Sequence, residues 1–217
     1  DLHSFPTRRS SDLLRVADLG IDDVEVVEEK SALGSMLRDR ELSPVTNARI
    51  LTVRKVWEPE TRQFRSVTAP LFEFESQGTQ KLFGLIGMIF RVLDEGGLFV
   101  ADELDAKLHP LLTQRIVQLF DQRVTNPRNA QFIFSTHDTN LLSAGLFRRD
   151  QIWFTEKDLK GGTRLYALTD YRPGGRTVRN DEQLEKNYMA GKYGGVPYLG
   201  DFDNLLETTA SLSGADE

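Results

Sequence analysis

Apolar residues recur at intervals of three or four positions in the middle of the chain and predict a long amphipathic helix. They are Leu82, Leu85, Ile86, Ile89, Phe90 and Leu93, a spacing that lines one helical face. Glycine is favoured just beyond the last residue of a helix. We therefore expect a helix that begins near Gly78 and ends before the pair Gly96–Gly97.

Two short apolar runs after this helix predict a pair of strands in one sheet. They are residues 98–101 (Leu-Phe-Val-Ala) and 131–135 (Gln-Phe-Ile-Phe-Ser), with a helix opened by Pro110 between them. Strand, helix and strand at this spacing form a βαβ unit, whose strands are parallel neighbours. Because the runs are continuously apolar, we expect both faces of these strands to be buried.

Alternating apolar and polar residues predict an antiparallel hairpin in front of the long helix. Its strands would be residues 48–56 and 63–75, joined by a turn at 58–61. A short helix followed by a strand is expected within residues 14–29, and a polar loop within 31–47.

Short elements are also expected beyond residue 135. Two strands, 152–155 and 163–168, flank the turn at Gly161–Gly162, and residues 184–190 favour a last short helix. We expect the strand at 152–155 to join 98–102 and 131–135 as a third parallel strand.

Composition narrows the class of protein without naming a function. The 217 residues carry a formal net charge of −6, with 39% hydrophobic and 28% charged residues, which is typical of a globular chain. Cysteine is absent, which excludes disulfides, Cys-ligated zinc and thiol nucleophiles and is compatible with the cytoplasm. No run approaches the roughly 18 apolar residues of a membrane span, so we expect no transmembrane helix and no membrane partner.

The polar residues that follow the two predicted parallel strands are the strongest candidates for chemistry. Asp102 and Glu103 follow the first strand and His137 follows the second, so all three should meet at one edge of the sheet, where α/β proteins bind ligands. Nucleotide hydrolases use such an acid pair to hold Mg²⁺ and to orient the attacking water. A helix cap made by the two acids is the simpler alternative.

Three motifs together resemble the ATP-binding cassette ATPases of the RecF/SMC type, which are AAA-type P-loop ATPases. Residues 75–81 (Glu-Ser-Gln-Gly-Thr-Gln-Lys) open the long helix where that family carries its signature motif. Residues 102–110 (Asp-Glu-Leu-Asp-Ala-Lys-Leu-His-Pro) resemble the Walker B carboxylates and the D-loop, and 134–138 (Phe-Ser-Thr-His-Asp) the switch histidine. The resemblance implies an α/β fold, the C-terminal lobe of an ATP-binding cassette head with a mainly parallel sheet.

The resemblance also implies a role for each matching residue and ATP with Mg²⁺ as the ligands. Asp102 would help to hold Mg²⁺, Glu103 would polarise the attacking water, and His137 would contact the γ-phosphate. Ser76 and Gly78 would act on the nucleotide held by a second subunit, and Asp105 would meet that subunit. A head-to-tail homodimer follows from this arrangement.

The C-terminal part is similar to a narrower group. Residues 150–157 and 187–197 resemble bacterial ATP-binding proteins of the abortive-infection and OLD-like kind, which are associated with anti-phage defence. This resemblance implies control of an effector protein or nuclease.

One departure from the family pattern is plain, because no Gly-x-x-x-x-Gly-Lys-Ser/Thr phosphate loop occurs in the sequence. We therefore expect the C-terminal part of a longer ATPase that binds ATP poorly alone. We expect four divisions. Residues 1–13 would be a non-native tail resembling a translated sequencing adapter, and 14–75 the end of an inserted region with the hairpin. Residues 76–170 would form the ATPase core and 171–217 a C-terminal tail.

Alternatives from other classes stay open at this point. A non-catalytic regulatory or scaffold subunit would use the head only as an interaction surface, and a DNA-repair clamp would close on duplex DNA. The arginines at positions 164, 172, 176 and 179 could meet nucleic acid, but a solvated loop is the simpler interpretation. His109 is expected to be a helix cap or a D-loop neighbour at the start of the helix that begins at Pro110, and not a metal ligand. Asp201-Phe202-Asp203 is expected to be a solvated loop.

Overall fold

The computed structural model describes residues 20–30, 46–158, 160–172, 178 and 183–197. The expectations for the tail 1–13, the helix after residue 14, the loop 31–45, Arg176, Arg179 and residues 201–203 lie outside the described residues. The chain divides into two compact units, residues 1–138 and 139–217.

The first unit contains an antiparallel sheet of three strands in the order β1-β2-β3. The strands are β1 (Asp23–Lys30), β2 (Thr46–Glu58) and β3 (Gln63–Pro70). Their pairings, with Val24 opposite Thr52 and Thr52 opposite Ala69, confirm the hairpin and the strand before it. Ile21, Val24 and Thr52 are buried.

The strand expected to run to residue 75 stops at Pro70, so that part of the prediction is wrong. Residues Leu71–Phe74 form a single helical turn, α1. Proline has no N–H to continue the ladder. Leu71 and Glu75 are buried while the three residues between them are exposed, and a spacing of four suits a turn of helix and not a two-faced strand.

The long helix is α2 (Gln77–Glu95), as the apolar periodicity predicts. Ser76 caps its first turn, and Gly96 ends it in the left-handed conformation with φ of 78°, which glycine adopts without strain. Leu82, Phe83, Ile86, Ile89 and Leu93 are buried along one face.

The predicted βαβ unit is confirmed. The strands β4 (Leu98–Ala101) and β5 (Gln131–Phe134) are parallel, with Leu98 opposite Gln131 and Ala101 opposite Phe134. Between them lies α3 (Pro110–Asp121), whose first turn is capped by His109 Nδ1, 3.2 Å from the Leu111 amide nitrogen.

One face of this parallel pair carries an aromatic stack. The rings of Phe99, Phe120 and Phe132 lie with centroids 4.6 to 6.5 Å apart, so α3 covers this face. The expectation that both faces are buried is wrong, because Leu98, Val100 and Ile133 on the alternate positions are exposed. Alternation places them on the opposite side of the pleat from Phe99 and Phe132.

The second unit is built around an antiparallel hairpin. It contains α4 (Asn140–Ser143), β6 (Trp153–Lys157), β7 (Thr163–Ala167) and α5 (Leu184–Met189), with 3₁₀ turns at Arg149–Gln151 and Leu168–Asp170. The expectation that residues 152–155 form a third parallel strand is wrong, because β6 pairs antiparallel with β7. The connection is short, and Asp158 Oδ1 accepts hydrogen bonds from the amides of Lys160 and Gly162, which closes a tight turn.

Aromatic residues form much of the core of the second unit. Phe154 stacks on Tyr188 and Tyr193 at centroid distances of 5.3 and 5.9 Å. The Tyr166 hydroxyl donates to the Tyr193 carbonyl at 2.7 Å, and burial together with the Glu156 and Tyr188 charges raises the pKa of Tyr166 above its ordinary value.

Candidate functional site

Ser135, the residue that follows β5, holds both members of the acid pair that follows β4. Its hydroxyl donates a hydrogen bond to Asp102 Oδ1 and accepts one from the Glu103 amide at 2.8 Å. The Leu104 amide donates to the Ser135 carbonyl at 3.0 Å. The ends of the two parallel strands are therefore fixed to one another by one residue.

The acid loop, residues 102–108, has an unusual backbone. Glu103 and Lys107 have φ of 47° and 66°, the left-handed region that such residues rarely adopt and that often marks functional sites. Two hydrogen bonds fold the loop on itself, from the Ala106 amide to the Glu103 carbonyl and from the Leu108 amide to the Asp105 carbonyl. Leu104 is fully buried and anchors the loop.

His137 lies beside this loop, as the shared sheet edge predicts. Its Nε2 is 4.0 Å from Glu103 Oε1, and both side chains are largely exposed. Its backbone amide donates to Asp105 Oδ1 at 3.1 Å. Burial alone would raise the pKa of Asp105, but hydrogen bonds from the Thr136 side chain and the His137 amide outweigh it, so the pKa lies below its ordinary value.

The N-terminus of α2 presents a capped helix end next to the acid loop. Ser76 Oγ accepts a hydrogen bond from the Thr79 amide at 3.2 Å and lies 2.8 Å from Thr79 Oγ1. Lys81 Nζ donates to the Glu103 carbonyl at 2.7 Å. The first amides of a helix carry partial positive charge and bind anions, so this end and the lysine favour a phosphate group.

Gly78 has a reason for its identity that the sequence does not reveal. A Cβ atom at this position would lie 2.4 Å from the Lys107 carbonyl oxygen, closer than any side chain tolerates. The helix end and the acid loop are therefore packed backbone to backbone within one chain. The resemblance accounts for Gly78 by close approach of a phosphate; the contact with Lys107 is an additional constraint.

A cleft of about 570 Å³ opens between the helix end and the acid loop. It is lined by two glutamines, two lysines, one glutamate and one alanine: Gln77, Gln80, Lys81, Glu103, Ala106 and Lys107. Lysines next to a helix N-terminus suit an anionic ligand, and Glu103 places a carboxylate at the edge of the same cleft.

The acid pair also fits a magnesium ion. Among the described residues no group of three or more His, Asp or Glu side chains is arranged to hold a metal. Magnesium does not need such a cage, because it is bound through one or two carboxylates together with substrate phosphates and water. Asp102 is exposed and its Oδ1 accepts the Ser135 hydrogen bond, so Oδ2 can serve as a ligand.

The sequence predicts Asp102, Glu103 and His137 at one edge, and the structure places them there; it places Asp105 beside them, where its carboxylate accepts from the His137 amide. Sequence reasoning assigned no role to Ser135, Lys81 or Lys107. The sequence does hold a signal for Ser135. It is a polar residue directly after an apolar strand, and it is in register with Asp102, which follows the neighbouring strand. The contacts of Lys81 and Lys107 depend on the approach of α2 to the loop, which no local pattern encodes.

The fold and the site together define an α/β domain of the P-loop ATPase class. The fold is a parallel βαβ unit, and the site combines the acid pair and the Ser-Thr-His sequence at the strand ends with a capped helix end next to them. The family model described as "AAA domain, putative AbiEii toxin, Type IV TA system" matches residues 10–143, more than half of the chain. The chain therefore belongs to this family of nucleotide-binding AAA domains. No curated protein matches the chain.

No helix among the described residues is both long enough and apolar enough to cross a membrane.

Proposed function

We propose that the chain contributes the hydrolytic part of an ATP-binding cassette head of the RecF/SMC type, which hydrolyses ATP with Mg²⁺. The single observation that carries this proposal is the hydrogen-bonded unit of Asp102, Glu103 and Ser135 beside the capped end of α2. A helix-cap role for the acids accounts poorly for it, because the residue that caps α3 is His109.

Each side chain has a task that its surroundings support. Mg²⁺, held by Asp102, would neutralise charge on the nucleotide phosphates. Glu103 is exposed and next to His137, so it can accept a proton from an attacking water. Ser135 fixes the direction of the Asp102 carboxylate, and the amides at the start of α2 with Lys81 stabilise phosphate charge on the nucleotide of the other subunit.

We further propose a head-to-tail dimer in which Ser76 and Gly78 of one subunit face the nucleotide bound by the other. Both residues lie at the N-terminus of α2, where an anion is favoured. The 217 residues contain no phosphate loop, so nucleotide capture needs residues outside them. Each composite site would combine a phosphate loop and Glu103 from one subunit with the helix end of the other.

The biological role that we propose is anti-phage defence through control of an effector protein or nuclease. The family name links its members to a toxin of type IV toxin–antitoxin systems, which supports this role. It rests on family membership and not on the geometry of the site.

Substitution of Glu103 tests the proposed chemistry. In the full-length gene product, Glu103→Gln should lower ATP turnover about a hundredfold or more while Mg-ATP binding is kept, because the amide cannot accept the proton. Glu95→Gln, at an exposed carboxylate at the end of α2, is the matched control and should turn over like the wild type. Wild-type turnover by Glu103→Gln would contradict the proposal, and binding without turnover by the wild type would favour the scaffold alternative.

A further inference from the structure

An ion pair between a buried carboxylate and a partly exposed guanidinium joins the antiparallel sheet to the residue before the α2 cap. The Glu75 side chain is only 4% exposed and pairs with Arg54 of β2 through both carboxylate oxygens. Thr52, fully buried on the same strand, donates its hydroxyl to Glu75 Oε1 at 2.7 Å. The carboxylate is thus held by three hydrogen bonds from two residues of β2.

The backbone of Glu75 is fixed as well. Its amide donates to the Leu71 carbonyl at 3.1 Å, and its carbonyl accepts from Gln80 Nε2 at 2.8 Å. The next residue along the chain is Ser76, the cap of α2. The position of Ser76 therefore follows the position of Glu75, and through Arg54 it follows the sheet.

Stability alone is a poor explanation for this ion pair. Burial of the Glu75 carboxylate costs solvation free energy that its attraction to Arg54 offsets, and apolar replacements of both partners of such a pair often leave stability unchanged or higher. The same strand and the neighbouring helical turn carry a second pair, Arg49 and Glu73, at 3.6 Å with both side chains more than half exposed. An exposed pair of this kind contributes little, so the two pairs form a matched contrast.

We infer that Glu75 is a positioning residue, which, through Arg54, holds the Ser76 end of α2 at the place and angle that the phosphate of ATP requires. The inference rests on the proposed function, since it assigns Ser76 and Gly78 to that phosphate. It adds that the antiparallel sheet and the Ser76 end of α2 move as one body, so a displacement of β2 reaches the phosphate-facing helix end.

Hydrogen exchange in the 217-residue chain tests the positioning without any nucleotide. The variant is Arg54→Met with Glu75→Met, which leaves no unpaired buried charge, and the control is Arg49→Met with Glu73→Met. The double variant at the buried pair should keep the thermal midpoint of the wild type, while the amides of residues 78–81 exchange about tenfold faster. The control should exchange like the wild type. Wild-type exchange in the Arg54/Glu75 variant would overturn the inference.

If the double variant does not fold, Glu75→Gln takes its place, because the amide is isosteric and keeps one acceptor oxygen for Thr52 and Arg54. It should give the same change in exchange at smaller size, and unchanged exchange would again overturn the inference.

ATP turnover in the full-length gene product separates this inference from the proposed function. The Arg54/Glu75 variant should lower kcat about tenfold with the KM for ATP unchanged, because the displaced helix end serves the reaction and not nucleotide capture. If Glu103→Gln loses turnover and the Arg54/Glu75 variant keeps the wild-type kcat, the positioning inference is wrong. If Glu103→Gln keeps wild-type turnover, the proposed function is wrong, and the exchange result alone then decides whether Glu75 fixes the helix end.

Discussion

The acid loop and the N-terminus of α2 lie against each other, yet they are held in place by different means. Hydrogen bonds from Ser135, Thr136 and the His137 amide, most of them to the Asp102 and Asp105 carboxylates, hold the loop within the βαβ unit. The helix end is held by the ion pair of the buried Glu75 carboxylate with Arg54, on a strand more than twenty residues earlier. One half of the site is therefore self-contained, and the other half depends on a separate sheet.

This difference matters for how the site can be regulated. Hydrogen bonds between neighbouring strand ends leave the loop little freedom, because the strands themselves are paired. The helix end can respond to whatever moves β2, since Arg54 transmits the displacement directly. The two halves meet where Lys81 donates to the Glu103 carbonyl and where Gly78 packs against the Lys107 carbonyl, so a change in one half can reach the other through these contacts.

The largest effect is expected from a charge at the helix end that leaves the fold intact. Gln77 is exposed at the first position of α2, where an acidic side chain is favourable by about 0.3–1 kcal/mol. Gln77→Glu should therefore keep or raise the melting temperature while turnover of the full-length protein falls about a hundredfold, because the carboxylate repels the phosphate. Calorimetry and ATP turnover are the measurements. Normal turnover with normal stability would remove the helix end from the site.

The contact between the halves gives the next largest effect. Gly78→Ala forces a methyl group against the Lys107 carbonyl and should cost about 1–3 kcal/mol of unfolding free energy, the usual range for overpacking. Gly84→Ala on the same helix is the control. Apart from its chain neighbours and the local helix backbone, no described atom lies within 4 Å of a Cβ added there. This control should stabilise by up to about 1 kcal/mol. Equal behaviour of the two variants in urea unfolding would contradict the close packing.

The smallest effect concerns pH and the acid loop. The pKa of Asp105 is below its ordinary value in the folded protein, so the folded state binds this proton less readily than the unfolded state. The stability that results is present above the unfolded pKa of about 3.9 and is lost as the pH falls through the lower folded pKa. The melting temperature of the wild type should therefore fall more steeply below about pH 4 than that of Asp105→Asn.

Asp121→Asn, which changes the net charge by the same amount at the end of α3, controls for overall charge. It should keep the steep decrease of the wild type. A decrease in Asp105→Asn as steep as that of the wild type would show that Asp105 is not the group responsible.

The self-contained half of the site was predictable from the sequence. Apolar runs at 98–101 and 131–135, the helix at Pro110 and the polar residues after each strand are all local signals, and local signals sufficed to bring Glu103 and His137 together. The exposed face of β4, with Leu98 and Val100, was not predictable, because a continuous apolar run does not say which face has a covering layer.

The dependent half could not be predicted in the same way. The role of Glu75 comes from Arg54 and Thr52, which lie on a different element, and no spacing rule links them. The pairing of β6 with β7 was missed because the apolar run at 152–155 was assigned to the parallel sheet, although the nearby Asp158–Gly162 turn favours a hairpin.

Mixing two inactive full-length variants tests the central claim, that the helix end serves the nucleotide of the partner. Consider a mixed dimer of one Gln77→Glu subunit and one Glu103→Gln subunit. If each site takes Glu103 from one subunit and the helix end from the other, both substitutions fall in the same site, and the second site is intact. Turnover should then return to as much as about half of the wild-type value per mixed dimer, with the pairing confirmed by native mass spectrometry. Mixed dimers that form but remain as inactive as their parents would show that Gln77 and Glu103 act within one chain, and would contradict the head-to-tail arrangement.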